Sequence, residues 1–99
     1  DTVHFINIFV KVSHVELIIS HMWYVYILRC SDGSFYVGCT TNIDRRIKEH
    51  NSHKIHYTRT RTPVLLNTYI AFEDKYRAFE FEKYLKTGSG IAFRNRHLI

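Results

Sequence analysis

Two β-branched and aromatic runs separated by four small polar residues set the frame for this chain. Residues 23–30 read WYVYILRC and residues 35–40 read FYVGCT, with Ser31-Asp32-Gly33-Ser34 between them. Runs of this kind around an Asp-Gly turn predict a β-hairpin. Its register decides which side chains share a face, because strand side chains alternate with period two. A two-residue Asp32-Gly33 turn would pair Arg29 with Tyr36 and put Tyr26 and Tyr36 on opposite faces. A three-residue loop, Ser31 to Gly33 with Gly33 left-handed, would pair Leu28 with Tyr36 and Tyr26 with Gly38. The three-residue form is expected, with both tyrosines on one face and Gly38 leaving room opposite Tyr26 for a ligand or a close backbone. Ordinary packing is the competing account of any single strand tyrosine.

After the hairpin, residues 42–51 read as a helix, with Thr41 as N-cap and Asp44 as its capping-box partner. Residues 52–63 are polar and basic, a loop or irregular short helix ending at Pro63. Residues 64–72 (VLLNTYIAF) read as a third strand. Asp74 is the expected N-cap of a second long helix running to about Lys86, which Gly88 and Gly90 stop, and Ala92 to His97 form one last helical turn. Strand, strand, helix, strand, helix predicts an α+β domain: a small three-stranded antiparallel sheet flanked by helices.

Length and charge narrow the possibilities. The 99 residues fit one domain. The basic charge is unevenly placed. Residues 1–21 hold Lys11 against Asp1 and Glu16, whereas residues 22–99 hold thirteen of the 14 Lys/Arg and seven of the nine Asp/Glu. A basic domain points to a polyanion, most often nucleic acid, although a solvated surface explains the same charge. No apolar run is long and uncharged enough to cross a membrane. Cys30 and Cys39 lack zinc-ligand spacing and are read as two reduced thiols of a cytoplasmic protein. The complete domain pattern begins just after Met22, so residues 22–99 are taken as the domain. Residues 1–21 are taken as an upstream extension that is not native to it; the competing reading is an added strand or helix covering one face.

Two helical side chains stand out chemically. On the first helix, Ile43, Ile47 and His50 share a side with Arg46 adjacent, while Arg45, Lys48 and Glu49 point elsewhere. Arg46 therefore leans toward the protein body, within i+4 reach of His50, and needs an anionic partner. A structural ion pair with Glu82 is one account. On the second helix, Ala78, Phe79, Phe81 and Leu85 form the apolar stripe with Glu82 inside it and Glu80 opposite. A core-facing carboxylate is costly unless paired, protonated or bound to a metal. One carboxylate with open positions around it suits Mg²⁺, which keeps several waters and takes phosphate oxygens. The segment 53–62 alternates Lys54, Arg59 and Arg61 with hydroxyls and Tyr57. That composition suits phosphate contacts and stacking on an exposed base, or simply a solvated loop; Arg94, Arg96 and His97 extend the same surface.

Taken together these residues resemble the GIY-YIG nucleases. Tyr24-Val25-Tyr26 and, after a gap of nine, Tyr36-Val37-Gly38 are similar to the paired signature. Asn42-Ile43-Asp44-Arg45-Arg46 resembles the arginine motif, and Ala78-Phe79-Glu80-Phe81-Glu82-Lys83 the glutamate helix. The resemblance covers residues 22 to about 97 and is nearest to small stand-alone bacterial members related to the N-terminal catalytic domain of the excinuclease C subunit. It departs at Tyr24, where the signature has glycine, and at Val37, where it has isoleucine. The resemblance implies a metal-dependent DNA endonuclease acting in DNA repair or processing, with one Mg²⁺ or Mn²⁺ held by Glu82. Tyr26 and Tyr36 match the signature tyrosines, and Tyr36, or Tyr26, would take a proton from the attacking water. Arg46 matches the arginine on the scissile phosphate, and His50 stands where members carry His or Tyr. Asn95 is a weak match to an asparagine found in some members. Lys54, Tyr57, Arg59 and Arg61 are the expected nucleic-acid contacts. Two other readings compete: a non-catalytic nucleic-acid-binding module, and a catalytic subunit that needs a protein partner to recognise its substrate.

Overall fold

The computed structural model describes residues 21–99. The expected division at Met22, and the reading of residues 1–21 as an extension, fall outside the described residues except for His21. The sheet has strands β1 (Trp23–Arg29), β2 (Phe35–Thr40) and β3 (Leu65–Phe72), all antiparallel in the order β2-β1-β3. Helices α1 (Ile43–Asn51), α2 (Lys75–Leu85) and α3 (Gly88–His97) complete the α+β domain.

The hairpin takes the three-residue form. The Cys30 amide donates to the Ser34 carbonyl at 2.8 Å, and Gly33 sits at φ 84°. That backbone is one glycine adopts without a Cβ penalty. Tyr26 therefore faces Gly38 and Leu28 faces Tyr36. Asp32 secures the turn by accepting from the Ser34 amide at 3.0 Å, and those Ser34 hydrogen bonds hold its carboxyl below the usual range.

Because β1 is central, its alternate side chains feed two different cores. Val25 and Ile27 pack with Val37, Ala78 and Leu85 beneath α2. Tyr26 and Leu28 pack with Cys30, Val64, Tyr36 and Ile47 on the face covered by α1 and the segment that follows it. Cys30 is buried and Cys39 half-buried, both as free thiols.

Two helix boundaries differ from the sequence expectation. The cap of α1 is Asn42, not Thr41: Asn42 Oδ1 accepts from the Arg45 amide at 3.0 Å, while the Thr40 hydroxyl accepts from the Asn42 amide at 3.1 Å. Asn is among the strongest N-caps, so it displaces its threonine neighbour. The second difference is α3, ten residues long where one turn was expected. Thr87 caps it, accepting from the Gly90 amide at 3.1 Å. Gly90 is there for close approach, not to stop a helix: a Cβ would lie 1.7 Å from the Tyr84 carbonyl oxygen. Asp74 caps α2 as expected, accepting from the Tyr76 and Arg77 amides.

Candidate active site

The site grows from Tyr26. On the central strand and 1% exposed, its ring lies across Gly38 of the edge strand: a Cβ on Gly38 would sit 2.3 Å from the Tyr26 hydroxyl oxygen. The space left by Gly38 is thus filled by Tyr26 itself and not by a ligand, a correction to the sequence reading. Laid across β2, the hydroxyl reaches toward the sheet edge, where α1 supplies its neighbours. Tyr26 Oη lies 3.0 Å from His50 Nε2, and the Arg46 guanidinium influences the same phenol.

His50 is completely buried, with its other nitrogen, Nδ1, 2.6 Å from the Thr58 hydroxyl. Burial first, and then the Arg46 charge, depress its pKa to about 4, so it is a neutral imidazole at physiological pH. Tyr26 moves the opposite way. Burial raises it to about 12; Arg46 pulls it down, and Tyr36 and the Glu82 carboxylate push it up. Glu82, on α2 beneath the other face of the sheet, is the weakest of these influences on the phenol. Tyr36 is more open than Tyr26. Its ring lies 4.8 Å from His50, 6.2 Å from Tyr26 and 5.6 Å from Tyr57.

The two charged residues singled out in the sequence do not pair with each other. Arg46 Nη1 donates to Glu49 Oε2 at 2.9 Å. Glu49, expected to point away, also receives Arg45 Nε at 3.5 Å. Burial opposes the Arg46 charge, but the surroundings supplied by Tyr26 and Glu49 more than restore it. Glu82 Oε2 accepts from Lys86 Nζ at 3.0 Å, and its side chain is 24% exposed. A Glu–Lys pair at i,i+4 was visible in the sequence. Its neighbour Cys39, pushed up to about 11 by burial and then by Glu82, stays a thiol.

The basic segment is pinned at four points. Thr58 meets His50, the Asn51 side chain accepts from the Val64 amide at 2.8 Å, and His53 Nε2 meets the Thr62 hydroxyl at 3.0 Å. Arg61 Nε donates to Asp32 Oδ2 at 3.0 Å, and its guanidinium lies 4.1 Å over the Tyr57 ring. Lys54 and Arg59 are exposed, with no ion pair among the described residues. Arg61 is committed to the hairpin turn. Thr58 was missed as a site residue. The available signal was indirect: an imidazole on an apolar helix face needs partners for both nitrogens, and the segment just downstream is rich in hydroxyls. A shallow groove of about 430 Å³ opens beside Tyr36, lined by Phe35, Tyr57, Ile91, Lys86 and Arg94. Asn95 is exposed on α3, hydrogen-bonded only to Arg94 among the described residues.

The model of the GIY-YIG catalytic domain matches residues 22–91. The UPF0213 protein BH0048 of Halalkalibacterium halodurans is 52% identical over 64 residues, 64% of this chain and 68% of that protein. The UPF0213 protein VNG_2274C of Halobacterium salinarum is 44% identical over 66% of this chain and 86% of its own length. The UPF0213 protein DP2720 of Desulfotalea psychrophila is 59% identical over 46 residues, and the chain spans 42% of its length. A solution NMR structure of BH0048 superposes with a TM-score of 0.47 at 44% identity, over 73% of this chain and 80% of that one. With a family model covering most of the described residues, the chain belongs to the GIY-YIG catalytic domain family.

Proposed function

We propose that this protein is a metal-dependent DNA endonuclease whose reaction is organised around Tyr26, Tyr36, Arg46, His50 and Glu82. The observation that carries this reading is the buried phenol of Tyr26, 3.0 Å from His50 Nε2, whose acidity both the Arg46 charge and, more weakly, the Glu82 carboxylate influence. A binding surface has no need of a carboxylate kept half-buried against the sheet.

The residues fit a hydrated hard cation. Glu82 offers a carboxylate whose Oε1 accepts no hydrogen bond among the described residues, and the Lys86 amine on Oε2 is half-exposed and free to swing into solvent. No three His, Cys, Asp or Glu side chains cluster among the described residues. A single carboxylate therefore suits Mg²⁺ or Mn²⁺, which keep waters and share substrate oxygens. When bound by Glu82, such an ion supplies Lewis-acid stabilisation of charge on the phosphate and leaving oxygen.

The protein's own groups do the rest. Arg46, held by Glu49, offsets negative charge developing on the phosphoryl oxygens. Tyr36 is placed to take the proton of the attacking water, since Tyr26 is buried and raised to about 12. Tyr26 acts as a hydrogen-bond donor that orients the water or a phosphate oxygen. Proton transfer of this kind contributes about 10²–10⁴-fold. Lys54 and Arg59, with Tyr57 beside Tyr36, contact the nucleic-acid backbone and an adjacent base, with Arg61 holding their segment in place.

The test is nicking of supercoiled plasmid and branched DNA with Mg²⁺ or Mn²⁺ by the parent, Glu82→Gln and Glu80→Gln. Cleavage by the parent and Glu80→Gln but not by Glu82→Gln is the expected result, because Glu80 is exposed. Binding without cleavage by the parent would replace the nuclease reading with a binding module or a subunit that needs a partner; equal cleavage by all three would move the site elsewhere.

A further inference from the structure

The groove beside Tyr36 is only partly used by the reaction outlined above. β2 is an edge strand, paired only with β1 among the described residues. Tyr36 belongs to the polar face of the sheet, and Phe35 and Val37 to the apolar face. Yet all three line the groove. Neighbouring strand residues point to opposite faces, so the groove runs along the free edge of β2. The end of α2 and the middle of α3 supply Lys86, Ile91 and Arg94, and the basic segment supplies Tyr57.

Size, charge and lining together restrict what fits. At about 430 Å³ the groove falls among small-ligand sites, which run from about 300 to 1,000 Å³. It takes one unit of a polymer, not a duplex or a helix. Lys86 and Arg94 are its charged lining residues, both cations, and none of the lining residues is acidic. Arg94 has no ion pair among the described residues. Its guanidinium lies 5.5 Å over the Phe35 ring, which positions the charge without neutralising it. Lys86 bonds Glu82 at 3.0 Å, but its side chain is 54% exposed and within reach of a second anion. Tyr36 and the 39% exposed Tyr57 add aromatic surface. Two cations beside aromatic rings match a phosphate joined to a flat base. Inside a duplex both faces of a base are covered by its neighbours, so only a base withdrawn from the stack can lie against those rings.

We propose that this groove seats one unstacked nucleotide of the DNA strand being cut, its phosphate between Lys86 and Arg94 and its base against Tyr57 and Tyr36. Continuity with the candidate active site sets its place: Tyr36 belongs to both, and Lys86 is hydrogen-bonded to Glu82. The seated nucleotide therefore adjoins the scissile phosphate. That adjacency rests on the nuclease reading; the nucleotide site itself does not. A strand with an unpaired nucleotide at this point is held better than continuous duplex, in which the base must first be extruded.

Nitrogen–proton shift mapping of the full ¹⁵N-labelled chain tests the site, without added metal so that the strand stays intact. The probes are a single-stranded thymidine tetranucleotide, its abasic counterpart and a blunt duplex. The tetranucleotide should move the Val37, Lys86, Ile91 and Arg94 amides. The abasic chain should bind about tenfold more weakly, as expected for the loss of stacking on one base. Lys86→Ala and Arg94→Ala should each weaken tetranucleotide binding by about fivefold to tenfold. Arg77→Ala removes the same charge from the exposed first turn of α2, and screening should keep its effect below about twofold. Tyr57→Leu should erase the preference for the tetranucleotide over the abasic chain, and Tyr57→Phe should keep it. The proposal is overturned if the tetranucleotide leaves the α3 amides unmoved, or if the abasic chain or the duplex moves them equally at the same concentration. It is also overturned if Arg77→Ala weakens binding as much as Lys86→Ala, the mark of diffuse charge. A parent that cuts no DNA but seats the tetranucleotide here loses the nuclease reading and keeps this one; a parent that cuts while the α3 amides stay unmoved does the reverse.

Discussion

The two faces of the sheet are built on opposite plans. Under α2 the core is hydrocarbon: Val25, Ile27, Val37, Ala78 and Leu85, each at or below 5% exposure. Under α1 the buried layer includes a phenol, an imidazole and a threonine hydroxyl, linked by hydrogen bonds. Buried polar chains of this kind add less net stability than apolar packing and are costly if one member is lost. Their use is positional, since each member fixes the orientation of the next. One face thus holds the domain together and the other carries the polar chain on which the proposed chemistry depends. Glu82, rooted on the helix of the apolar face, has a weak electrostatic influence on the phenol of the polar face.

That division is sharpest if the largest functional loss involves no loss of fold. Glu82→Gln should lower cleavage by about 10³-fold, equivalent to several kcal/mol of transition-state charge stabilisation, while its thermal unfolding stays close to that of the parent. Leu85→Ala should do the reverse. Leu85 is 1% exposed in the apolar cluster, so its truncation costs about 2–5 kcal/mol in urea unfolding, yet cleavage per folded molecule should be preserved. If Leu85→Ala removed cleavage in molecules shown to be folded, the two faces would not be separable.

How far the sequence reveals this division depends on whether the signal is local. The hairpin register followed from Ser31, Asp32 and Gly33 alone, and it placed Tyr26 opposite Gly38. Asp74 announced α2 because a cap bonds within its own turn. The α1 cap was misassigned because Thr40, Thr41 and Asn42 are all capable caps, and the stronger preference of Asn for that position was not given its weight. The role of Gly90 was misread because the Tyr84 carbonyl that crowds it belongs to the preceding helix end. Glu82 and Arg46 stood out from their helical periodicity, but their actual partners, Lys86 and Glu49, lie one turn away and compete with the long-range pair that periodicity suggests. Thr58 was the least legible: its meaning comes from a contact with His50, eight residues earlier, that only packing creates.

The polar face should also report on pH. In the folded state burial and then Arg46 depress His50 from 6.5 to about 4. Between those values the unfolded chain binds a proton that the folded chain excludes, so stability rises with pH through the window. The contribution is fully present above about pH 6.5 and is lost as pH falls toward 4. Its greatest slope is about 1.36 kcal/mol per pH unit for this single group. Urea unfolding at pH 7 and pH 5 should show that loss in the parent. In His50→Gln, whose side chain does not titrate, the difference should shrink; an unchanged difference would mean that His50 is not the group held neutral.

The smallest effect separates cations within the basic segment. Lys54 and Arg59 are exposed and have no ion pair among the described residues, whereas Arg61 spans from Asp32 to the Tyr57 ring. A cation that meets phosphate releases counterions, and its loss lowers the slope of log affinity against log salt by about 0.7–0.9. Lys54→Ala and Arg59→Ala should each lower the slope by about that amount with little change in unfolding. Arg61→Ala should instead lower stability by up to about 1 kcal/mol, the range of a partly exposed pair, and weaken DNA binding only by loosening Tyr57. Asp32→Asn separates the two accounts, because it breaks the clamp without removing a positive charge. If Asp32→Asn reproduces the Arg61→Ala phenotype, Arg61 serves the segment's shape; if only Arg61→Ala lowers the salt slope, its guanidinium is itself a phosphate contact, and the hairpin turn and the nucleic acid compete for it.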